Sequence, residues 1–126
     1  MKTLVRFRTG SGTFAVPVEA TTAVRAAAGL VTLPGCRDDV VGLLPGEPPI
    51  TVLSTLGCGR DHILVIAVDD VVFGLLVEEV LGVQAVEEAT IGARPEGQDE
   101  EYITGTISGP DGLTLIVDPV VLAGRL

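Results

Sequence analysis

Tryptophan is absent from this 126-residue chain, and aromatic residues of every kind make up only 3% of it. Val, Leu, Ile and Ala must therefore supply the packing, and β-branched side chains pack well on a pleated surface. Basic residues are also few: 8 Lys and Arg stand against 17 Asp and Glu, for a formal net charge of −9. That balance argues against a nucleic-acid partner, because affinity for a phosphate backbone comes mainly from Lys and Arg. It disfavours anionic membrane surfaces for the same reason. Cysteine is limited to Cys36 and Cys58, neither in a CxxC pair nor in a Cys/His cluster. A disulfide framework and a zinc set are both unexpected on that count. No run reaches the roughly 18–20 apolar residues of a membrane span. Arg6 and Arg8 interrupt the apolar start, so no signal peptide is read there and a cytoplasmic protein is expected.

What is present is a chain that is 47% apolar, enough for one domain or for two very small half-domains sharing a core. Val5 and Phe7 alternate with Arg6 and Arg8, the period-2 pattern of a half-buried strand. After the turn residues Thr9 to Gly12, Phe14, Val16 and Val18 continue the alternation and predict a hairpin. Pro17 marks a strand end or an edge. Residues 19–28 are Ala-rich and read as a short helix or an irregular turn. Short strands are predicted over 31–33, 40–44, 50–53, 62–68, 71–77, 82–86, 102–107 and 113–117. The 62–68 segment is almost continuously apolar, so it reads as a central strand. Asp118 is placed to cap a last helical turn that begins with Pro119. Many short strands with Gly and Pro turns predict an all-β barrel or sandwich.

The chain also resembles itself. Residues 14–19 (FAVPVE) match residues 73–78 (FGLLVE) at an offset of 59, and Val24 matches Val83 at the same offset. Gly42 to Gly46 (GLLPG) resembles Gly105 to Gly109 (GTISG) at an offset of 63. Repetition of this kind signals repeated architecture. About five strands per half suit two small barrels, and halves of this size need a shared apolar seam.

The order and spacing of six segments resemble a CheW-like domain: 14–19 (FAVPVE), 33–35 (LPG), 42–46 (GLLPG), 49–53 (PITVL), 73–78 (FGLLVE) and 113–118 (LTLIVD). The resemblance covers almost the whole chain. It implies an all-β fold of two five-stranded SH3-like barrels around a shared core, with short helical turns. Residues 1–126 then form one domain, with half-barrels over about 13–58 and 60–118 that can exchange strands. It also implies a non-enzymatic adaptor without a cofactor. The implied partners are the regulatory domain of a chemosensory histidine kinase and chemoreceptor cytoplasmic helices. The binding residues it implies are Val18, Thr21, Thr22 and Val24 after the second strand, with Gly42, Leu43, Leu44 and Gly46 in a turn near the groove for the receptor helix. Val18 and Val24 serve equally well as closure of the barrel seam. The sequence departs from the family between Gly42 and Gly46, where the run is shorter and the family's Asn-Leu-Arg is missing. The family's aspartate in the next strand is Val52 here, with Asp118 read as its surviving counterpart. The alternative is therefore a divergent relative that has lost receptor coupling, or that associates with itself.

A third reading, from another class, is a small thiol- or carboxylate-dependent enzyme. Its residues are weak candidates. His62 is the only histidine, at a strand start beside Asp61, and reads as a surface residue. Cys58 lies between two glycines and reads as an unreactive thiol, since a nucleophile needs a base in reach. Ser11 sits in a turn rather than a Gly-x-Ser-x-Gly elbow. The acidic run 96–101 lacks the ligand spacing of a calcium loop.

Overall fold

Strands form almost wherever the alternating pattern is found. The computed structural model describes residues 1–32, 40–56, 60–94, 101–110, 112–124 and 126. Its first strands are β1 (Lys2–Thr9), β2 (Gly12–Pro17), β3 (Thr21–Ala26), β4 (Val31–Thr32), β5 (Val40–Leu44) and β6 (Ile50–Leu53). β7 (His62–Val68), β8 (Val71–Val77), β9 (Glu79–Val86), β10 (Ile103–Gly109) and β11 (Gly112–Val117) follow, and the helix α1 (Pro119–Ala123) ends the series. Single 3₁₀ turns follow β2, β3 and β9.

The strands form two sheets, ordered β10-β11-β2-β1-β9 and β3-β7-β8-β6-β5-β4. Each sheet draws on both parts of the sequence. The β1–β2 hairpin is completed by β9, β10 and β11, and the β7–β8 hairpin by β3, β4, β5 and β6. The chain then returns across each sheet. In the second, β4 follows β3 and pairs with β5; in the first, Gly92 follows β9 and bridges to Thr106 of β10. The molecule is thus all-β, with two SH3-like barrels.

Pairing registers reproduce the repeat. Phe7 opposite Phe14 corresponds to Ile66 opposite Phe73, and the parallel pair Ala15–Ile116 corresponds to Gly74–Val52. Even the irregularities recur. Thr22 in β3 and Leu81 in β9 are each passed over by the register, as are Val41 in β5 and Thr104 in β10. A bulge bends its strand and increases local twist, which is what a small barrel needs to close.

Burial follows from this interleaving. The largest core cluster joins Val5, Phe7, Phe14 and Val16 of the first hairpin to Leu64, Ile66, Phe73, Leu75 and Val77 of the second. The Phe7 and Phe14 rings stack with centroids 6.0 Å apart. A smaller cluster lies within each barrel: Leu4, Ala15, Val86 and Ile116 in the first, and Leu44, Val52, Ile63 and Val65 in the second. The Thr9 hydroxyl, buried between the two parts, donates to the Leu56 carbonyl at 2.7 Å and accepts from the Ser11 amide at 3.1 Å.

Four sequence expectations change. Residues 21–26 form a strand, not a helix or an irregular turn, because β3 pairs along β7 from the other part of the chain. That pairing outweighs the helical propensity of alanine. The face of β1 carrying Arg6 is not a plain solvent face, because Leu4 on the same face is fully buried inside the first barrel. Gly42 to Leu44 belong to β5, as the strand expected over 40–44 requires, and not to the turn that the family resemblance implied. Finally, Val52 does not correspond to Asp118. The parallel registers equate Val52 with Ile116, so Ser54 stands where the second half has Asp118. Val52 is fully buried, where an unpaired carboxylate would be costly.

Asp118 caps α1 as expected: its carboxylate accepts from the Val120 amide at 2.9 Å, with Pro119 at the first helical position. Substitution Asp118→Ala is expected to cost about 1 kcal/mol, the usual loss for a removed cap. Urea unfolding of the two proteins measures it.

Candidate functional site: a groove between the barrels

Two of the edge strands, β3 and β9, belong to different sheets, yet they line one groove. Its volume is about 250 Å³, and its lining is Val5, Thr21, Thr22, Ala23, Val24, Leu64, Val80, Gly82 and Val83. The lining is built from related pairs. Val5 and Leu64, Thr21 and Val80, Ala23 and Gly82, and Val24 and Val83 each differ by 59 positions. The groove therefore sits where the two halves of the repeat meet.

Backbone pairing explains how these residues converge. Val83 is opposite Val5 in the β1–β9 pair, and Val24 is opposite Leu64 in the β3–β7 pair. Val5 and Leu64 are buried in the shared core. Val24 and Val83 are 48% and 64% exposed and line the same concave surface, so they form a shared apolar patch. Gly82 adopts φ +131°, a conformation that a β-branched residue resists, directly after the bulge at Leu81. The threonine hydroxyls are already used within the chain. Thr21 donates to the Val18 carbonyl at 2.8 Å and Thr22 to the Val65 carbonyl at 3.3 Å. The groove is consequently apolar in character, suited to another apolar surface rather than to a charged small molecule.

Of the residues expected from the sequence, Thr21, Thr22 and Val24 are brought together here. Val18 lies in the 3₁₀ turn after β2 and packs on the shared core. None of Gly42, Leu43, Leu44 and Gly46 lines the groove. Gly42 is buried against β4, and a Cβ there would run into the Val31 carbonyl. Leu44 is 3% exposed, inside the second barrel. Leu43 is half-buried and paired with Val31, and Gly46 is exposed near Glu47, Pro48 and Arg25. Sequence reasoning missed Val5, Leu64, Val80, Gly82 and Val83 as groove residues. The offset of 59 carried the signal, since it already linked Val24 to Val83.

The catalytic candidates do not assemble. His62 is exposed, with Nδ1 3.1 Å from the Glu78 carbonyl, which can only accept; Nδ1 is thus the donor in this contact. Cys36, Cys58, Gly35 and residues 96–100 of the acidic run 96–101 lie outside the described residues. Among the described residues, no group of three His, Cys, Asp or Glu side chains is arranged to hold a metal ion. No described helix is long and apolar enough to cross a membrane.

Comparison with known proteins places these features in a family. The model of the CheW-like domain matches residues 52–125. Among solved structures, the chain is similar to the scaffolding protein TtCheW from Thermoanaerobacter tengcongensis, with a TM-score of 0.78 and 18% sequence identity. That match covers 93% of this chain and 88% of the other. No curated protein matches the chain.

Proposed function

The chain belongs to the CheW-like domain family, and from that premise we propose that it is a non-enzymatic signalling adaptor in a chemosensory system. In this reading it binds the regulatory domain of a histidine kinase and receives a chemoreceptor helix in the groove between β3 and β9. It works in the cytoplasm and uses no cofactor. The observation that carries the reading is the groove itself: two exposed valines, Val24 and Val83, line it together with the buried Val5 and Leu64. An amphipathic helix laid in an apolar groove is a common recognition mode. It would bury the valines and leave the acidic outer surface in water.

The test is a titration of the chain with the isolated kinase regulatory domain and, separately, with a helical hairpin from a receptor tip. Saturable association with both is expected, with dissociation constants on the order of tens of micromolar or tighter, as for transient signalling contacts. Absence of kinase association in that range overturns the adaptor reading. Kinase association without receptor association favours the second reading, a divergent relative uncoupled from receptors. The shortened Gly42–Gly46 run supports that alternative, because it lacks the charged donor of its relatives. Light scattering tests the self-association branch of the same reading.

A further inference from the structure

Side chains make the groove between β3 and β9 apolar, but backbone also borders it. Successive side chains of a strand point to opposite faces. Yet Thr21, Thr22, Ala23 and Val24, four consecutive residues of β3, all line the groove. Gly82 and Val83, adjacent in β9, line it as well. The bulges at Thr22 and Leu81 do not explain this, because Ala23 and Val24, like Gly82 and Val83, lie beyond them in unbroken register. Neighbours in one register both border a groove when the strand turns its edge toward it.

The pairing agrees. Each of the two strands stands last in its sheet. Among the described residues β3 pairs only with β7, and β9 only with β1. An edge strand presents a row of N–H and C=O groups that no other strand pairs. No hydrogen bond outside these two ladders engages the backbone of Thr22 to Val24 or of Val80 to Val83 among the described residues. Solvent reaches such groups in the free chain. A helix laid over the groove displaces that solvent, and a backbone group buried without a partner is unfavourable. A wholly apolar helix would therefore bind poorly here, despite Val24 and Val83.

The lining decides which polar groups suit the occupant. A strand edge carries both donors and acceptors. Lysine and arginine only donate, and an ionised carboxylate only accepts. None of the nine lining residues is charged, so a charged side chain would lose its solvent without gaining a counter-charge. A carboxylate also meets a chain that carries −9. A side-chain amide is neutral, donates and accepts. The Thr21 and Thr22 hydroxyls add to the match: each already donates within the chain and keeps its capacity to accept.

We propose, resting on the groove as a helix site, that its occupant carries two kinds of side chain on one face. An apolar ridge covers Val24 and Val83. Asparagine or glutamine side chains flank that ridge and hydrogen-bond the open edges of β3 and β9. The groove then selects a helix by its neutral polar flanks as well as by its apolar ridge. It rejects the charged flanks common on solvent-facing helices.

The test uses the whole chain and the receptor-tip hairpin in three forms. One is unchanged, one has the Asn and Gln residues beside its apolar ridge replaced by alanine, and one has them replaced by glutamate. Circular dichroism checks that all three are helical; alanine is the better helix former, so lost helicity does not account for lost binding. The alanine form is expected to bind about tenfold more weakly, and the glutamate form more weakly still. Amide hydrogen exchange at Thr22 to Val24 and at Val80 to Val83 should slow with the unchanged hairpin, and slow less with the alanine form at equal saturation. Equal affinity of the unchanged and alanine forms overturns the proposal, as does glutamate binding as tightly as the original. So does a receptor-tip hairpin that binds with no Asn or Gln beside its ridge. In those three cases the helix site itself survives if the Val24 and Val83 methyl signals shift on binding. Methyl signals that move with none of the hairpins overturn the helix site and this proposal together.

Discussion

Substitution of Gly42 by alanine is expected to destabilise the protein by about 3 kcal/mol, the upper end of what overpacking usually costs. The reason is local and steric. A Cβ at Gly42 would meet the Val31 carbonyl and come within 3.0 Å of the Thr32 Cα. Both are backbone atoms of β4, the two-residue strand that closes the second barrel on β5. Backbone held in a ladder cannot swing aside as the end of a long side chain can. Gly105, its counterpart at an offset of 63, is crowded in the same way. A Cβ there would lie 2.9 Å from the Ile91 Cγ2 and 3.0 Å from the Gly92 carbonyl oxygen. Because one of those neighbours is a side chain, Gly105→Ala is expected to cost less, about 1–2 kcal/mol. Urea unfolding of the three proteins checks the ranking. A Gly42→Ala protein of unchanged stability but impaired partner binding would overturn the steric explanation. It would return Gly42 to the role that the family resemblance implied for it.

The groove gives the second large effect. Aspartate at both Val24 and Val83 is expected to weaken binding of a receptor-tip helical hairpin about a hundredfold, or about 2.8 kcal/mol. Two half-exposed valines supply part of this through lost apolar burial. Two carboxylates trapped beneath an apolar helix supply the rest through unpaid desolvation. Folding should change little, because both side chains are already 48% and 64% exposed. Calorimetric titration beside a urea curve separates the two quantities. Each single substitution should produce a partial loss, since the two valines stand on opposite walls. Equal affinity for the double variant would exclude the groove as the helix site.

The strands of this protein were largely legible because alternation and turn residues are local signals. The hairpin of β1 and β2, the buried run of β7, the turn at Asp69 and the cap at Asp118 all follow from neighbours in the chain. Asp69 adopts φ +52°, which an aspartate in a tight turn tolerates. Among the described residues the missed strand, β3, pairs only with β7, about 40 residues away in sequence. Its alanines argue locally for helix, while its partner decides otherwise. The groove was half legible. Thr21, Thr22 and Val24 were found from the first half, but their counterparts on β9 were not, although the repeat linked them. The open edges of β3 and β9 were not legible at all. Only the pairing of distant strands decides which of them stand last in a sheet.

The sequence by itself therefore determined which segments extend, where they turn, that the chain repeats itself and which family it resembles. These depend on composition, spacing and near neighbours. The tertiary structure decided how the repeats combine: each hairpin takes its remaining strands from the other part of the chain. That interleaving requires long-range pairing, which no local pattern encodes. It sets β3 beside β9 to make the groove, and it places Gly42 under the β4 backbone. It also leaves β3 and β9 last in their sheets, each with an open edge turned to that groove.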